Sequence, residues 1–343
     1  MNQVLRITAP GRLEVQERPP QGLDPDDARV RVIATGICGS DVHGLAGHTG
    51  RRSVDQVMGH ETVGQVIELG ADADPALVGA IVAIDPVVSC GQCSRCRVGE
   101  QQHCLTGWVL GVRTDVDGAY ATEVVVPSRN LVPLRADMTP WHGALVEPLA
   151  VGFHAARRGH AGDNDRVLIL GGGPIGQAVL LGCLREGVRT VLVSEPDDRR
   201  GALIERLGGL RTTPQDLADD LPLALGEGAT LAFDVVGTNA TLATAIGSTV
   251  PGGRVVLVGM DSPKVDLNAY EITARERMLV GTICSTRDHF VETAEWLADH
   301  PEIAPAMVDH RVPLAHGPDV FDDLLASRLQ ANKILLLPET AST

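Results

Sequence analysis

A chain of 343 residues is too long for one ordinary hydrophobic core, so its length indicates two domains. Its 44% hydrophobic and 21% charged residues are typical of a globular protein and exclude an intrinsically disordered one. A formal net charge of −15 repels nucleic acid and anionic membranes, and 3% aromatic residues leave few surfaces for base stacking. We therefore expect neither a nucleic-acid partner nor a membrane partner.

The start of the chain and its cysteines indicate a compartment. Residues 1–6 lack the basic segment and following apolar run of a signal peptide. The most apolar window, residues 166–184, is interrupted by three glycines and a proline, so it indicates a buried strand, turn and helix rather than a membrane span. We expect a cytoplasmic protein, in which thiols stay reduced and clustered cysteines indicate a metal site before a disulfide.

The first part of the chain has the pattern of a β-rich domain. Short runs of valine and isoleucine, separated by glycine, aspartate and proline, predict strands at residues 28–33, 62–69, 80–84 and 122–126. A helix is predicted to begin near Thr139, with Pro140 in its first turn, and to continue to about residue 158.

From residue 166 onward, predicted strands alternate with predicted helices. The strands are expected at residues 166–170, 190–194, 230–236, 254–258 and 278–283. The helices between them are expected at residues 175–185, 200–207 and 240–250. This alternation predicts a parallel, doubly wound sheet. The chain closes with a predicted helix at 290–298 and a predicted strand at 333–337.

Four of the seven cysteines are clustered with the spacing C-x2-C-x2-C-x7-C, namely Cys90, Cys93, Cys96 and Cys104. Four thiolates can surround one zinc ion tetrahedrally, each at about 2.3 Å, and leave no position for water or substrate. We therefore interpret the cluster as a structural zinc site. The polar residues between the cysteines disfavour four buried, unligated thiols, and the acidic net charge disfavours a zinc-ribbon module that binds nucleic acid.

A second set of metal-binding side chains is spread over three segments. They are G-I-C-G-S-D-V-H at 36–43, G-H-E at 59–61 and V-E-P-L at 146–149. Each segment alone is a weak signal, because an isolated cysteine after a strand is usually only buried. Together they offer one soft, one borderline and two hard ligands, which predict a zinc site with an exchangeable position. The candidate ligands are Cys38, His60, Glu61 and Glu147.

The segment G-G-G-P-I-G at residues 171–176 matches the dinucleotide pattern G-x-G-x-x-G. It follows a predicted strand, opens a predicted helix and precedes a strand that ends at a glutamate. The first glycine permits a tight turn, the second admits the pyrophosphate, and the third lets helix and strand pack closely. The residues assigned to cofactor binding are Gly171, Gly173, Pro174, Ile175, Gly176, Glu195 and Arg200.

Glu195 favours NAD as the cofactor over NADP. A carboxylate at this place accepts hydrogen bonds from the hydroxyls of the adenosine ribose. NADP carries an extra phosphate on that ribose, and a carboxylate repels it. Arg199 and Arg200 lie close enough in the sequence to soften the repulsion.

In this order along the chain, the three sites resemble those of the zinc-dependent medium-chain dehydrogenase/reductases of the alcohol dehydrogenase superfamily. The resemblance extends from about Val4 to Leu337 and is to the polyol branch in particular, which includes sorbitol, butanediol and threonine dehydrogenases. It implies an α/β fold, with a GroES-like β-rich catalytic domain at residues 1–151 and 285–343 and an inserted Rossmann domain at 152–284. The structural zinc lobe is expected at about 88–106, the active site in the cleft, and the assembly as a homodimer or homotetramer.

The resemblance also implies which residues hold the catalytic zinc. Cys38 and His60 are similar to zinc ligands of the family, and Glu61, also expected to be catalytic, is similar to the polyol-branch zinc ligand next to that histidine. Glu147 stands in the place of the remaining ligand, which acts directly or through water. With the four clustered cysteines in the structural lobe, two Zn²⁺ ions per chain are expected.

A proton relay and an orienting carboxylate are implied in the same way. Ser40 resembles the hydroxyl that receives the substrate proton, and His43 the group that passes it toward solvent by way of the nicotinamide ribose. Asp41 resembles the carboxylate that orients His60. Residues 118–123 read G-A-Y-A-T-E where the family has a segment similar to G-G-F-A-E-Y, which is a departure from the pattern.

The expected function is the reversible, NAD-dependent oxidation of a secondary hydroxyl on a small polyol, or a related hydroxylated compound, to a ketone. The two carboxylates near zinc, the scarcity of aromatics and the polar loop at 285–288 favour a hydroxyl-rich substrate. A hydroxy-amino acid such as threonine is the alternative substrate. The alternative protein classes are a zinc hydrolase, which the dinucleotide turn disfavours, and a non-catalytic zinc-stabilised scaffold, which the intact Cys38, Ser40 and His60 disfavour.

Overall fold

The computed structural model describes residues 1–47, 50 and 52–338. The chain forms two compact units, one made of Met1–Glu147 together with the chain from Thr286 onward, and the other of Pro148–Ser285. Within the described residues, no helix has both the length and the apolar character that crossing a membrane requires.

The first unit begins with a series of short strands and helices. They are β1 (Asn2–Ala9), β2 (Arg12–Arg18), β3 (Asp27–Gly36), α1 (Gly39–Leu45), β4 (Glu61–Leu69), β5 (Ile81–Ile84), β6 (Val87–Val88), α2 (Ser94–Arg97), β7 (Trp108–Val109), β8 (Glu123–Pro127) and β9 (Leu131–Pro133). Short 3-10 helices lie at Pro75–Leu77, Gln101–His103, Ser128–Asn130 and Pro140–Leu145. The last of these continues directly into α3 (Val146–Arg158), so the helix predicted from Pro140 is tighter in its first six residues.

The second unit alternates strands and helices. After α3 they are β10 (Arg166–Leu170), α4 (Pro174–Arg185), β11 (Thr190–Ser194), α5 (Asp198–Arg206), β12 (Leu210–Thr212), α6 (Leu217–Leu225), β13 (Ala229–Asp234), α7 (Asn239–Gly247), β14 (Thr249–Leu257), α8 (Ala269–Thr273) and β15 (Met278–Gly281).

The chain then returns to the first unit. The closing elements are α9 (Arg287–Asp299), α10 (Ile303–Met307), β16 (Val308–Pro313), a 3-10 helix at Leu314–His316, α11 (Gly317–Leu325) and β17 (Lys333–Leu337).

The main sheet of the first unit joins the beginning and the end of the chain. Its strand order is β16-β17-β3-β4-β5-β9, and β8 also pairs with β3. Gly36, at the end of β3, is paired with Glu61 on one side and with Leu335 on the other. A buried cluster that includes Ile37, Met58 and Phe321 packs beside this place. The sheet therefore brings together the segments after β3, before β4 and at the start of β17.

The described strands of the second unit form a parallel sheet in the order β12-β11-β10-β13-β14-β15. In order of appearance this is 3-2-1-4-5-6, the Rossmann order. Val167, Leu168 and Ile169 of the central strand β10 are fully buried, because helices cover both faces of such a sheet. The predicted doubly wound parallel sheet is confirmed.

Two details of the second unit differ from the expectation. The helix predicted to reach residue 250 ends at Gly247, and the next strand begins at Thr249 rather than near 254. The run Pro251-Gly252-Gly253 has the composition of a turn, yet it lies within β14, whose pairing with β13 is irregular at that point. Helix α6 was not predicted, because Pro222 lies inside it.

Candidate active site

Three of the predicted zinc ligands converge in the first unit. The ligand atoms of Cys38, His60 and Glu61 all lie within 4.8 Å of one another. The pairing of Gly36 with Glu61 explains this convergence, because it places the end of β3 beside the start of β4. Cys38 follows the first of these strands by two residues, and His60 directly precedes the second.

Gly36 also makes room for the Glu61 carboxylate. A Cβ atom at position 36 would lie 2.0 Å from Oε2 of Glu61, far inside contact distance. Any other residue there would displace this carboxylate. Gly36, the first glycine of the G-I-C-G segment, therefore leaves the space that the Glu61 carboxylate occupies.

Lys333 holds Glu61, and sequence reasoning did not identify it as a site residue. Its Nζ donates hydrogen bonds to Oε1 at 2.8 Å, to Oε2 at 2.7 Å and to the carbonyl of Ile37 at 3.1 Å. Both charged side chains are buried. Burial lowers the pKa of Lys333, but Glu61 and Cys38 raise it more, so the net direction is upward. The available signal was a lysine that opens an otherwise apolar strand, since a buried lysine requires an acidic partner.

Glu147 is buried in the first turn of α3, outside the group of three converging ligands. Burial raises the pKa of its carboxyl to about 8, and although His60 lowers it, Glu61 and Cys38 add to the increase. Glu147 is therefore electrostatically coupled to all three converging side chains.

The charges of this group fit a metal ion. Burial raises the pKa of the Cys38 thiol to about 12, and Glu61 raises it further, against the opposing effect of Lys333. A dication between these groups would lower the pKa of the Cys38 thiol instead, because it stabilises a thiolate and neighbouring carboxylates. One thiol, one imidazole and one carboxylate within 4.8 Å form a donor set suited to zinc, and cysteine with histidine is disfavoured for calcium or magnesium.

Asp41 lies behind His60 in a buried polar group. Its Oδ1 accepts a hydrogen bond from Nη2 of Arg52 at 2.8 Å, and its Oδ2 accepts one from the hydroxyl of Tyr120 at 2.7 Å. Nδ1 of His60 is 3.9 Å from Oδ2, beyond hydrogen-bond distance, and no partner for it is found within residues 1–47, 50 and 52–338. Asp41 thus lies on the Nδ1 side of His60, at a longer distance than a hydrogen bond. Arg52 and Tyr120 were not predicted.

The two predicted relay residues lie on α1, the helix that follows Cys38. Ser40 and His43 are both exposed. The Ser40 side chain is close enough to Cys38 to oppose slightly the rise in the pKa of its thiol, which places it beside the candidate zinc ligands. His43 lies in the last turn of the same short helix.

The four clustered cysteines also converge. Sγ of Cys93 is 3.4 Å from that of Cys96, and Sγ of Cys104 is 3.5 Å from that of Cys90. Four thiolates around one zinc ion lie about 3.8 Å apart, so this spacing fits the ion. Backbone N–H groups and the Thr106 hydroxyl lower the pKa of Cys104 to about 6, which favours the thiolate that a metal needs.

The glycine turn of the second unit lies at the carboxyl end of β10. Gly171 has φ +97°, and a Cβ at Gly176 would lie 1.9 Å from the Gly171 carbonyl, so both positions require glycine. Gly173 precedes α4, which begins with Pro174 and Ile175. A Cβ at Gly173 would meet nothing closer than Nη1 of Arg200, at 3.9 Å, which leaves space for a phosphate.

Glu195 closes the other side of this turn. It is buried, and its two oxygens accept hydrogen bonds from the backbone N–H groups of Gly172 and Asp197, both at 2.9 Å. These bonds fix the carboxylate beside the glycine turn. A carboxylate oxygen has a second lone pair, so each can still accept a ribose hydroxyl.

Comparison with known proteins gives the family. Residues 24–136 match the alcohol dehydrogenase GroES-like domain, and residues 174–299 match the zinc-binding dehydrogenase domain. The L-idonate 5-dehydrogenase of Vitis vinifera is 34% identical over 280 residues, which cover 78% of this chain and 76% of the relative. The chain belongs to the zinc-dependent medium-chain dehydrogenase/reductases.

Solved structures extend the likeness to nearly the whole of this medium-chain dehydrogenase. A zinc-binding dehydrogenase from Sinorhizobium meliloti 1021 bound to NADP superposes with a TM-score of 0.88 at 28% identity, over 98% of this chain and 99% of that one. A short chain alcohol dehydrogenase from E. coli CFT073 in complex with NADH gives the same TM-score at 27% identity and the same coverage. The predicted family, the GroES-like and Rossmann fold and the alcohol or polyol dehydrogenase class are confirmed.

Proposed function

We propose that this dehydrogenase oxidises a secondary hydroxyl of a small polyol, or of a related hydroxylated compound, reversibly to a ketone, with NAD as the hydride acceptor. The observation that carries the proposal is the convergence of Cys38, His60 and Glu61 within 4.8 Å, with a second buried carboxylate, Glu147, coupled to them. The idonate dehydrogenase relative supports this substrate class, since its named substrate is a polyhydroxylated acid.

We propose two zinc ions per chain. One is held by Cys90, Cys93, Cys96 and Cys104 and has a purely structural role, because four thiolates complete its coordination. The other is held by Cys38, His60 and Glu61, with Glu147 as the remaining ligand, either directly or through water.

We further propose that NAD is preferred over NADP. The support comes from Glu195, whose buried carboxylate is fixed beside the glycine turn. A second negative group on the adenosine ribose would meet this carboxylate at close range. The structural neighbours include one protein bound to NADP and one bound to NADH, so the proposed preference rests on the residues of this chain alone.

The chain's own residues position the reactants and move the proton. When bound, zinc supplies a Lewis acid that lowers the pKa of the substrate hydroxyl, and the nicotinamide supplies the hydride acceptor. Ser40, which lies beside Cys38, accepts the substrate proton, and His43 passes it to solvent. Lys333 keeps Glu61 in place and balances one negative charge of the site.

The buried carboxylate of Glu147 supports a substrate with neighbouring hydroxyls. A second hydroxyl can donate a hydrogen bond to it, whereas a simple alcohol leaves it without that donor, which costs binding energy. The loop at 285–288 gives less support than expected. Arg287 donates to the Leu131 carbonyl at 2.6 Å, and Thr286 accepts from the backbone of His289, so these polar groups already serve the fold.

A hydroxy-amino acid such as threonine is the second candidate substrate. The same observation favours it, since a buried carboxylate such as Glu147 can pair with a substrate ammonium group. The reaction type and the zinc ligands would be unchanged.

A substrate panel tests the proposal. The zinc-loaded enzyme is assayed with NAD and with sorbitol, xylitol, threitol, butanediol, threonine, ethanol and hexanol, and reduced nicotinamide is followed by its absorbance. We expect the highest kcat/KM for a polyol or a diol. The highest kcat/KM for ethanol or hexanol would refute the polyol assignment, and the highest for threonine would move it to the second candidate.

We also propose a homodimer or homotetramer in the cytoplasm. Strand β15 is the last strand in the order of its sheet, and Met278 at its start is exposed, as is Ile283 just beyond it. An exposed apolar edge strand offers a surface for pairing with a second copy. All seven cysteines are free thiols, which suits a reducing compartment. Light scattering of the purified protein measures the subunit number.

A further inference from the structure

We propose that Tyr120 is a positioning residue of the catalytic zinc site, and that its hydroxyl fixes Asp41 behind His60. This inference rests on the proposed zinc site. It adds a residue from the segment in which the chain departs from its family, where a tyrosine stands at the phenylalanine of the G-G-F-A-E-Y-like pattern.

The first support is the place of the hydroxyl. It lies 2.7 Å from Oδ2 of Asp41 and 3.2 Å from the carbonyl of Gly36, and the side chain is fully buried. A hydroxyl has one proton to donate, and the shorter contact with a charged acceptor is the stronger one. The same Oδ2 lies 3.9 Å from Nδ1 of His60. Tyr120 therefore holds the carboxylate oxygen that faces the histidine.

The second support is the contact of the ring with the histidine segment. A Cβ at Gly59 would lie 2.7 Å from Cδ1 of Tyr120, so the ring packs directly against the residue before His60. The backbone N–H of Tyr120 also donates to the carbonyl of Met58 at 2.8 Å. Gly59 has φ +102°, a conformation suited to glycine, which allows this close approach. One residue thus contacts both the Asp41 side and the His60 side of the site.

The third support is the rigidity of these surroundings. The ring of Tyr120 packs edge-on against Phe321, with 5.8 Å between ring centroids, inside a buried cluster. The other oxygen of Asp41 accepts a hydrogen bond from Arg52, whose side chain is also buried. Two donors from two separate loop segments therefore restrain the two carboxylate oxygens.

The consequence concerns the metal. An Asp41 carboxylate fixed behind Nδ1 of His60 favours the tautomer with a proton on that nitrogen and leaves Nε2 to the metal. Loss of the group that partners a metal-ligating histidine typically weakens metal affinity by about 10–100-fold, and loss of Tyr120 would loosen Asp41 without removing it. Without the Tyr120 hydroxyl, Oδ2 of Asp41 loses this donor and keeps only the restraint that Arg52 places on Oδ1, so the neighbour of the imidazole is less firmly held.

The test compares Tyr120→Phe with Tyr270→Phe, which changes the chain's other tyrosine, one that is 82% exposed. Zinc affinity of the intact protein is measured by competition with a chromophoric chelator, together with the zinc content at each step. We expect about 10-fold weaker binding of one of the two zinc ions in Tyr120→Phe, the lower end of that range, because Asp41 itself remains. The other zinc ion, and both ions in Tyr270→Phe, should keep wild-type affinity.

A packing control separates positioning from general stability. Phe321→Leu removes the ring contact but keeps the Tyr120 hydroxyl, so it should lower the free energy of unfolding and leave zinc affinity unchanged. Wild-type zinc affinity in Tyr120→Phe would overturn the inference while leaving the two-zinc proposal intact. Equal weakening in Phe321→Leu would also overturn it. A wild-type protein that binds only one zinc ion would refute the proposed site itself, and this inference with it.

Discussion

Lys333 and Glu61 form a buried ion pair in which Nζ contacts both carboxylate oxygens, at 2.8 and 2.7 Å. The two residues are 272 positions apart and join the start of β4 to the start of β17. The pair holds Glu61, a proposed zinc ligand of the first unit, in place through the last described strand. It also supplies a positive charge to a site that contains several acidic groups.

Replacing Lys333 should destabilise the metal-free protein. Lys333→Met keeps the length of the side chain but leaves Glu61 buried without its cation, which typically costs about 3–5 kcal/mol. Urea denaturation in the presence of a chelator measures this loss. The double variant Glu61→Gln/Lys333→Met should recover most of it, because no buried charge is then left unpaired. A single variant as stable as the wild type would contradict this account of the pair.

Each zinc site should be removable on its own. Cys93→Ser takes one thiol from the four-cysteine cluster, so elemental analysis should show one zinc lost and denaturation a lower stability, with NAD affinity unchanged. Cys38→Ser should lose the other zinc and abolish turnover while the fold survives. Fully metallated wild-type protein that contains one zinc per chain would rule out the two-site proposal.

Glu195 should determine the preference for NAD. Glu195→Ala removes the carboxylate proposed to face the adenosine ribose, so the ratio of kcat/KM for NAD to that for NADP should fall. Because Glu195 also accepts the backbone N–H of Gly172, Glu195→Gln serves as a variant that loses the charge and keeps an acceptor. Glu205→Gln, an exposed change of equal charge on α5, is the control and should leave the ratio unchanged. An NADP preference in the wild type would refute the assignment.

His43 should matter most when protons are hardest to remove. His43→Ala should reduce alcohol oxidation chiefly at low pH, whereas ketone reduction should suffer less. The pH profile of kcat/KM measures this, with His316→Ala as a control at another exposed histidine of the first unit. A profile that His43→Ala leaves unchanged removes this residue from the relay.

Asp85 should make stability depend on pH. Burial raises the pKa of its carboxyl from 3.8 to about 6, against the opposing effects of the Val87 N–H and of Arg287. At pH values between these two pKa values, Asp85 is protonated more often in the folded state than in the unfolded state. Its contribution to stability therefore falls as pH rises from about 4 to 6. The difference corresponds to about 3 kcal/mol at neutral pH.

The variant Asp85→Asn isolates this effect, since it removes the titrating group and keeps a similar shape. Relative to the wild type, it should gain about 2 kcal/mol in the free energy of unfolding between pH 4 and pH 7, measured by urea denaturation at both values. A difference between the two proteins that does not change with pH would show that Asp85 titrates normally.

Local patterns predicted the regular elements of the fold well. The strands at Arg166–Leu170, Thr190–Ser194 and Lys333–Leu337 have the predicted bounds, because each is an apolar run that the sheet buries. Elements with mixed signals were missed. The proline inside α6 and the turn-like Pro-Gly-Gly run inside β14 oppose the structures that tertiary packing imposes.

The candidate site also contains residues that the sequence could predict and residues that it could not. Cys38, His60 and Glu61 stand in short motifs, so the sequence could indicate them together. Lys333 and Arg52 stand in no motif, and contacts over 272 positions, as for Lys333 and Glu61, or over 79 positions, as for Tyr120 and Asp41, are made only when the chain folds. A pattern within one segment cannot show which distant side chain will satisfy a buried charge.

Direct transfer of deuterium tests the central claim most closely. The zinc-loaded enzyme is given NAD and a diol such as butanediol that carries deuterium on its secondary carbinol carbons, and the reduced nicotinamide is analysed by mass spectrometry. We predict that the deuterium appears on the nicotinamide, that none enters from deuterated water when the diol is unlabelled, and that Cys38→Ser forms no labelled product. Formation of the ketone without deuterium on the nicotinamide, or equal labelling by Cys38→Ser, would contradict zinc-dependent hydride transfer from a secondary alcohol.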